Sequence, residues 1–163
     1  VIRGAADKDA DAVAALWTEA YFDEGEGGRD TPYSRSDFEQ TQAAATHLLV
    51  AEIDGAVVGV VALLSPGEPS RAIALAGEAE LARLVVSSAA RRQGIGRALA
   101  DRCAELARSE GWPAISLWSR PYQRAGHRLY ESLGYERRPE RDSTDETGFD
   151  RLVFRLDLDP LRI

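Results

Sequence analysis

Leu84-Val85-Val86 is an apolar run, Arg91-Arg92-Gln93-Gly94-Ile95-Gly96-Arg97-Ala98 follows it, and a helical pattern then continues to about Glu110. A strand that ends, turns on two glycines and reopens as a helix places an anion site at the joint. The first N–H groups of a helix have no partner within it, and the helix dipole favours negative charge there. Gly94 and Gly96 carry no Cβ, so a phosphate can reach the backbone between them. Arg91, Arg92 and Arg97 can add charge-assisted contacts from the sides.

The rest of the chain arranges itself around that joint. Val1 to Arg3 predicts a short strand, and Asp7 or Asp9 caps a helix with its apolar stripe on Val13, Leu16, Trp17, Ala20 and Tyr21. An acidic, glycine-rich loop, Phe22 to Asp30, comes next, and Ser36 with Glu39 forms a capping box for a helix over Asp37 to about Thr46. Leu48 to Ile53 and Ala56 to Leu64 flank Asp54-Gly55, a strong hairpin signal. A longer strand runs from about Ala76 to Val86. The helix after the glycine loop buries Ile95, Leu99, Cys103 and Leu106 and ends at Gly111 and Pro113. Ala114 to Ser119 predicts a strand, Tyr122 to Leu133 a helix stopped by Gly134, and Tyr135 to Arg138 a further strand. A polar loop, Glu140 to Asp150, precedes a last strand in which Leu152, Phe154, Leu156 and Leu158 alternate with other residues.

A hairpin needs antiparallel pairing, and the β-α-β passage around the glycine loop needs one parallel pair. The expected fold class is therefore α/β, with a mixed, mostly antiparallel sheet flanked by helices. No repeat or linker divides residues 1–163, so a single domain is expected. The net charge of −7 argues against a nucleic-acid surface. One cysteine excludes an internal disulfide, the longest apolar run is too short to span a bilayer, and no signal-like pattern opens the chain. Those features predict a cytoplasmic protein without membrane association.

Two phosphate loops fail at the glycines. A P-loop needs GxxxxGK[ST], and no such lysine follows here. A dinucleotide fingerprint needs a third glycine where Leu99 stands and a distal acid that Ala114 to Ser119 does not supply. The remaining pattern, [Arg/Gln]-x-x-Gly-x-[Gly/Ala], is met by Arg91-Arg92-Gln93-Gly94-Ile95-Gly96. Downstream lies Ala125-Gly126-His127-Arg128-Leu129-Tyr130-Glu131-Ser132-Leu133-Gly134-Tyr135, which fits A-x-x-x-Y-x-x-x-G-[FY] with Gly126 where a small residue is usual. Through these two segments the chain resembles the GNAT superfamily of N-acetyltransferases. The motif match covers roughly residues 76–138, and the element order fits the whole chain.

The resemblance implies the acyl-CoA N-acyltransferase fold, with a parallel strand pair that splays apart, and acetyl-CoA as co-substrate with no metal. It implies that the pyrophosphate rests on the loop around Arg91, Arg92, Gln93, Gly94, Ile95, Gly96 and Arg97, while the pantetheine arm lies along Leu84, Val85 and Val86 like an added strand. Gln123 stands where the family often has asparagine and keeps amide chemistry toward the cofactor with a longer reach. Tyr130 is the expected partner of the departing thiolate, and Glu80 the expected general base, eleven residues before Arg91 as in some members. Glu78 shares its strand face with Glu80, and His47 and His127, the other possible bases, read rather as ordinary polar surface residues. Cys103 reads as a small core residue.

The acceptor expected from this likeness is a primary amine of a small molecule or peptide. The acidic loops Asp23 to Asp30 and Glu140 to Asp150 flank the family's acceptor region and favour a cationic one, unless both are simply solvated surface. Members often form homodimers through their C-terminal strands. Two rival functions stay open on the sequence: a CoA-binding regulatory domain without turnover, and a protein-binding module that uses the acidic loops.

Overall fold

Asp54 and Gly55 both take positive φ, 50° and 80°. That is the conformation a two-residue hairpin demands, since its twist matches that of the strands it joins. It joins β2 (His47–Ile53) to β3 (Ala56–Leu64), which pair antiparallel from His47↔Leu63 to Ile53↔Ala56. The structure is a computed structural model that describes residues 1–22 and 31–158. The acidic loop Asp23 to Asp30 named above lies outside the described residues.

Around the hairpin the sheet grows in both directions. β1 (Ile2–Gly4) pairs with β2, and β4 (Glu78–Val86) pairs antiparallel with β3. β5 (Ala114–Ser119) pairs parallel with β4, and β8 (Asp150–Asp157) pairs antiparallel with β5. The short β6 (Glu136–Arg137) closes the order β1-β2-β3-β4-β5-β8-β6, while β7 (Ser143–Thr144) also pairs with β8. The one parallel step is bridged by α3 (Ile95–Ser109), as a crossover must be. This is the mixed, mostly antiparallel sheet expected.

Helices cover both faces. α1 (Ala10–Tyr21) and α2 (Arg35–Ala44) pack on one face, burying Val13, Trp17 and Phe38 against Val50, Val60 and Val85. α3 and α4 (Arg124–Ser132) pack on the other, where Leu99, Cys103 and Tyr130 meet Leu63, Leu81, Leu117 and Phe154. Each fully buried large apolar side chain contributes about 1.5–3 kcal/mol relative to exposure.

Four local expectations change. α2 starts two residues early, because Ser34 rather than Ser36 forms the box: the Ser34 N–H donates to Asp37 Oδ2 at 2.8 Å. Asp9 does not cap α1 forward; its carboxylate accepts the Ala6 N–H at 2.8 Å and pairs with Arg3 on β1, also at 2.8 Å. α4 is shorter than Tyr122 to Leu133, since Tyr122 and Gln123 form a turn ahead of it. The polar loop after β6 contains a 3₁₀ turn, Pro139–Arg141, and the strand β7.

Candidate active site

β4 and β5 pair only through Glu78↔Ala114, Ala79↔Ile115 and Glu80↔Ser116. Beyond that point β4 continues to Val86 with β3 alone, and β5 continues to Ser119 with β8 alone. The β5-facing edge of Leu84, Val85 and Val86 therefore carries backbone groups without a strand partner. Leu84 packs on the α3 side and Val85 on the α1 side, so the edge stays open while the side chains are used in the core.

A β-bulge bends β4 at this place. Val60↔Val85 and Ala62↔Ala82 leave both Arg83 and Leu84 opposite Val61, and Arg83 takes φ 54°. An extra residue on one strand kinks it and increases its twist, which turns β4 away from β5. Nothing in the sequence reading marked Arg83, although a charged residue inside an apolar strand was the available signal.

The gap opens onto the glycine loop. Arg92 and Gly94 hold φ 67° and 75°, and Gly94 is the residue immediately before α3. The first bond of that helix runs from the Ala98 N–H to the Gly94 carbonyl at 3.0 Å. The N–H groups of Ile95, Gly96 and Arg97 precede it and have no protein acceptor among the described residues, so they form a concave anion cradle. Glu19 of α1 fixes the entrance by accepting the Ser88 N–H at 2.9 Å. A Cβ on Gly96 would lie 3.3 Å from Leu129 Cδ2 and 3.6 Å from Val86 Cγ2, so this glycine lets α4 and β4 close on α3. Arg91, Arg92 and Gln93 are exposed. The Arg97 guanidinium is instead committed to Ser132 Oγ at 2.6 Å, leaving its backbone N–H for an anion.

Tyr130 sits on α4 with its ring 5.8 Å from Tyr135 and 5.9 Å from Phe154. Its residue is buried, and no described residue bonds its hydroxyl, which unlike that of Tyr135 is not wholly cut off from solvent. Burial pushes the phenol up to about 12. Gln123 spends its side-chain oxygen on the turn after β5, accepting from Ser119 Oγ and the Arg120 N–H, both at 2.8 Å. Its side-chain NH₂ has no partner among the described residues and remains a donor.

His127 is not the surface residue expected. Its Nε2 lies 3.0 Å from the Arg120 carbonyl and 3.1 Å from Ser119 Oγ, tying α4 to the end of β5. Since Ser119 donates its own proton to Gln123, Nε2 carries the hydrogen. Burial, with Arg137 adding to it, holds the ring below its ordinary 6.5, against the hydrogen bond to the Arg120 carbonyl. His47 begins β2, beyond β3 from the gap, with Nε2 3.9 Å from Glu110. Cys103 is buried and its thiol is pushed up to about 12 by desolvation, so it stays a neutral core group.

Glu80 is buried, and its oxygens accept three backbone N–H groups: Ala72 at 2.9 Å, Ile73 at 2.8 Å and Ala74 at 3.0 Å. It clamps the segment before β4. Replacing it with Gln sets an NH₂ group against an N–H donor, so Glu80→Gln is expected to destabilise the fold by about 1–3 kcal/mol. A thermal melt checks this. Glu78 accepts from the Leu75 N–H, Arg141 and Arg155. Burial raises its carboxyl, but Arg141, Leu75 and Arg155 together outweigh that and hold it below 4.5.

Two acids of the loop after β6 are also consumed internally. Asp142 pairs with Arg137 and Asp145 with Arg120, each at 2.6 Å. Arg137 draws the Asp142 carboxyl down; Thr147 and then Arg120 do the same for Asp145. These pairings leave Glu140, Glu146 and Asp150 as the exposed acids of that loop, a weaker acid-lined rim for a cationic acceptor than the sequence suggested. They also set the response to acid. A group whose folded value is depressed binds fewer protons folded than unfolded, so stability falls as pH drops through that window. Stability is expected to decline first below 6.5 as the unfolded chain protonates His127, then more steeply below 4.5 as Glu78, Asp142 and Asp145 lose their partners. Melts across pH 3–8 read both steps, and His127→Gln should abolish only the first.

Residues 10–135 match the acetyltransferase (GNAT) family. N-acetylaspartate synthetase from Danio rerio is 35% identical over 102 residues, 63% of this chain and 34% of that protein. The chain spans 26–40% of the length of the curated relatives it matches. Ribosomal-protein-alanine N-acetyltransferase from Brucella melitensis superposes with a TM-score of 0.80 at 25% identity, over 97% of this chain and 99% of that one. A phosphinothricin acetyltransferase from Sinorhizobium meliloti, solved in complex with acetyl-CoA, aligns with a TM-score of 0.76 at 18% identity over 97% and 88%, a likeness of fold. The family match, which reaches from the start of α1 through the glycine loop to Tyr135, shows that the chain belongs to the acetyltransferase (GNAT) family.

Proposed function

We propose that the protein transfers the acetyl group of acetyl-CoA directly to a primary amine. The observation that carries this reading is the gap between β4 and β5, which leads from an unpaired strand edge to an unpaired row of helix N–H groups. A pantetheine amide needs the first and a pyrophosphate the second. The N–H groups at the start of α3 would hold the pyrophosphate, the edge of Leu84, Val85 and Val86 the pantetheine arm, and the Gln123 NH₂ a cofactor carbonyl.

When bound, acetyl-CoA supplies an activated acyl carbon, so that a carbon–nitrogen bond replaces the carbon–sulfur bond, the amine loses a proton and the sulfur gains one. The Tyr130 hydroxyl is a donor with nothing else to bond. With its value near 12 against about 8.5 for an ordinary thiol, it stabilises the departing sulfur by a hydrogen bond rather than by giving up its proton outright. Glu80 has one of about four lone-pair directions left after its three amide donors. We assign it to a water on the incoming amine, with the loop clamp as its first task.

The relatives carry different acceptors in their names: aspartate, a ribosomal protein's alanine and phosphinothricin. The fold therefore does not choose the acceptor, and the site must. Acetyl-CoA should raise the melting temperature, and free thiol should appear when an amine is added. A thermal shift with no thiol from any amine would favour a regulatory CoA-binding domain. Neither response would leave a protein-binding module.

A further inference from the structure

The face of the sheet that carries α1 and α2 also carries Glu80, Arg83, Ser116, Trp118, Arg151 and Arg155. Their neighbours in sequence, among them Leu81, Leu117 and Phe154, point into the opposite core. Extending the register Glu80↔Ser116 upward puts Arg83 and Trp118 at about one height on opposite sides of the gap. An amine approaching from this face passes between them.

Two arginines border that mouth with no carboxylate partner among the described residues. Arg83 lies over Trp17 at 4.9 Å and Tyr33 at 5.2 Å from the ring centroids, and among the described residues it donates only to Thr41 Oγ1 at 3.4 Å. Arg151 stacks on Trp118 at 5.0 Å, and its Nε is buried with no hydrogen bond. Their neighbours behave otherwise. Arg120, on the same Trp118 ring at 4.7 Å, is held by Asp145, while Arg141 and Arg155 are held by Glu78. Among the described residues four buried side-chain polar atoms lack a partner, and two of them, Trp17 Nε1 and Arg151 Nε, belong to these two stacks. A buried guanidinium nitrogen without an acceptor costs stability, so Arg151 Nε, across the opening from an Arg83 that no described carboxylate pairs, marks this mouth for an anionic ligand.

We infer that Arg83 and Arg151 form a carboxylate site at the acceptor mouth, so that the amine acetylated here carries its own carboxylate, as a free amino acid does. This rests on the acetyltransferase reading above and fixes its substrate class. The stacked aromatic rings hold each guanidinium plane in place, which is what bidentate recognition of a planar carboxylate needs. A polyamine meets two like charges at the same opening. Asp142 and Asp145 of the loop after β6 are already paired and do not offset that repulsion.

The test compares each amino acid with its decarboxylated twin, phenylalanine with 2-phenylethylamine and methionine with 3-(methylthio)propylamine, in thiol release with acetyl-CoA. At least one amino acid should exceed its twin by ten-fold or more in kcat/KM, the difference lying in KM. It should also raise the melting temperature of the acetyl-CoA complex, which its twin should not. Arg83→Gln and Arg151→Gln should each shrink the ratio of amino acid to twin at least ten-fold, and Arg151→Lys should shrink it less. The rise in melting temperature with acetyl-CoA certifies the fold of each variant. Should a variant not fold, the wild-type ratio still decides. Amines and amino acids turned over equally, or polyamines preferred, would overturn the carboxylate site and leave the acetyltransferase reading standing. No thiol from any amine would overturn that reading instead.

Discussion

Replacing Tyr130 by Phe is expected to lower kcat about 100-fold while the protein melts at the same temperature. The two halves of this expectation come from one observation: a hydroxyl that no described residue bonds, on a ring held by packing. Removing it breaks no protein hydrogen bond, and the ring keeps its contacts with Tyr135 and Phe154. Removing a donor aimed at developing negative charge costs about 10²–10³ in rate in comparable sites. A purely structural tyrosine would show neither the loss nor the neutral melt. Since the phenol titrates near 12, the loss should be the same from pH 6 to pH 9, and steady-state rates across that range read it.

The second large effect is expected at Gly94, where φ is 75°. A β-branched residue is strained in this region at a cost of roughly 1–2 kcal/mol, and its side chain covers the start of the N–H row. Gly94→Val should weaken acetyl-CoA binding at least 30-fold by calorimetry, against a modest loss of melting temperature. Gly94→Asn, which tolerates a left-handed φ, should fall between the two. Equal affinity in all three proteins would mean that the pyrophosphate does not lie on this turn.

Much of the fold was legible because its signals are local. The Asp54-Gly55 turn, the limits of Ala56–Leu64 and Ala114–Ser119, and the joint from strand to glycines to helix each depend on residues close in sequence. The capping box moved from Ser36 and Glu39 to Ser34 and Asp37 because both pairs satisfy the same spacing, and the packing of Phe38 under α1 selects between them. Strand β7 was missed because two residues cannot show a period.

The site divides the same way. The glycine loop and Tyr130 lie on contiguous motifs. What surrounds them depends on long-range register: the bulge at Arg83 exists only because β3 pairs with β4 out of step. The triple acceptance by Glu80 depends on where residues 72–74 return. Whether a carboxylate is free is a question about partners: the acid of Glu140 to Asp150 looked available in sequence, while Asp142 and Asp145 are already paired with Arg137 and Arg120. The same accounting, applied to cations, singled out Arg83 and Arg151.

The central claim is acetyl transfer from acetyl-CoA to an amine in the gap between β4 and β5. Incubating the purified protein with acetyl-CoA and a panel of amino acids and simple amines, and following N-acetyl product by mass spectrometry beside free thiol, tests it directly. Product and thiol should appear in equal amounts and should fall together, in step with the weakened cofactor binding, in Gly94→Val. Thiol without product, or neither with a melting temperature that acetyl-CoA does not move, would contradict it.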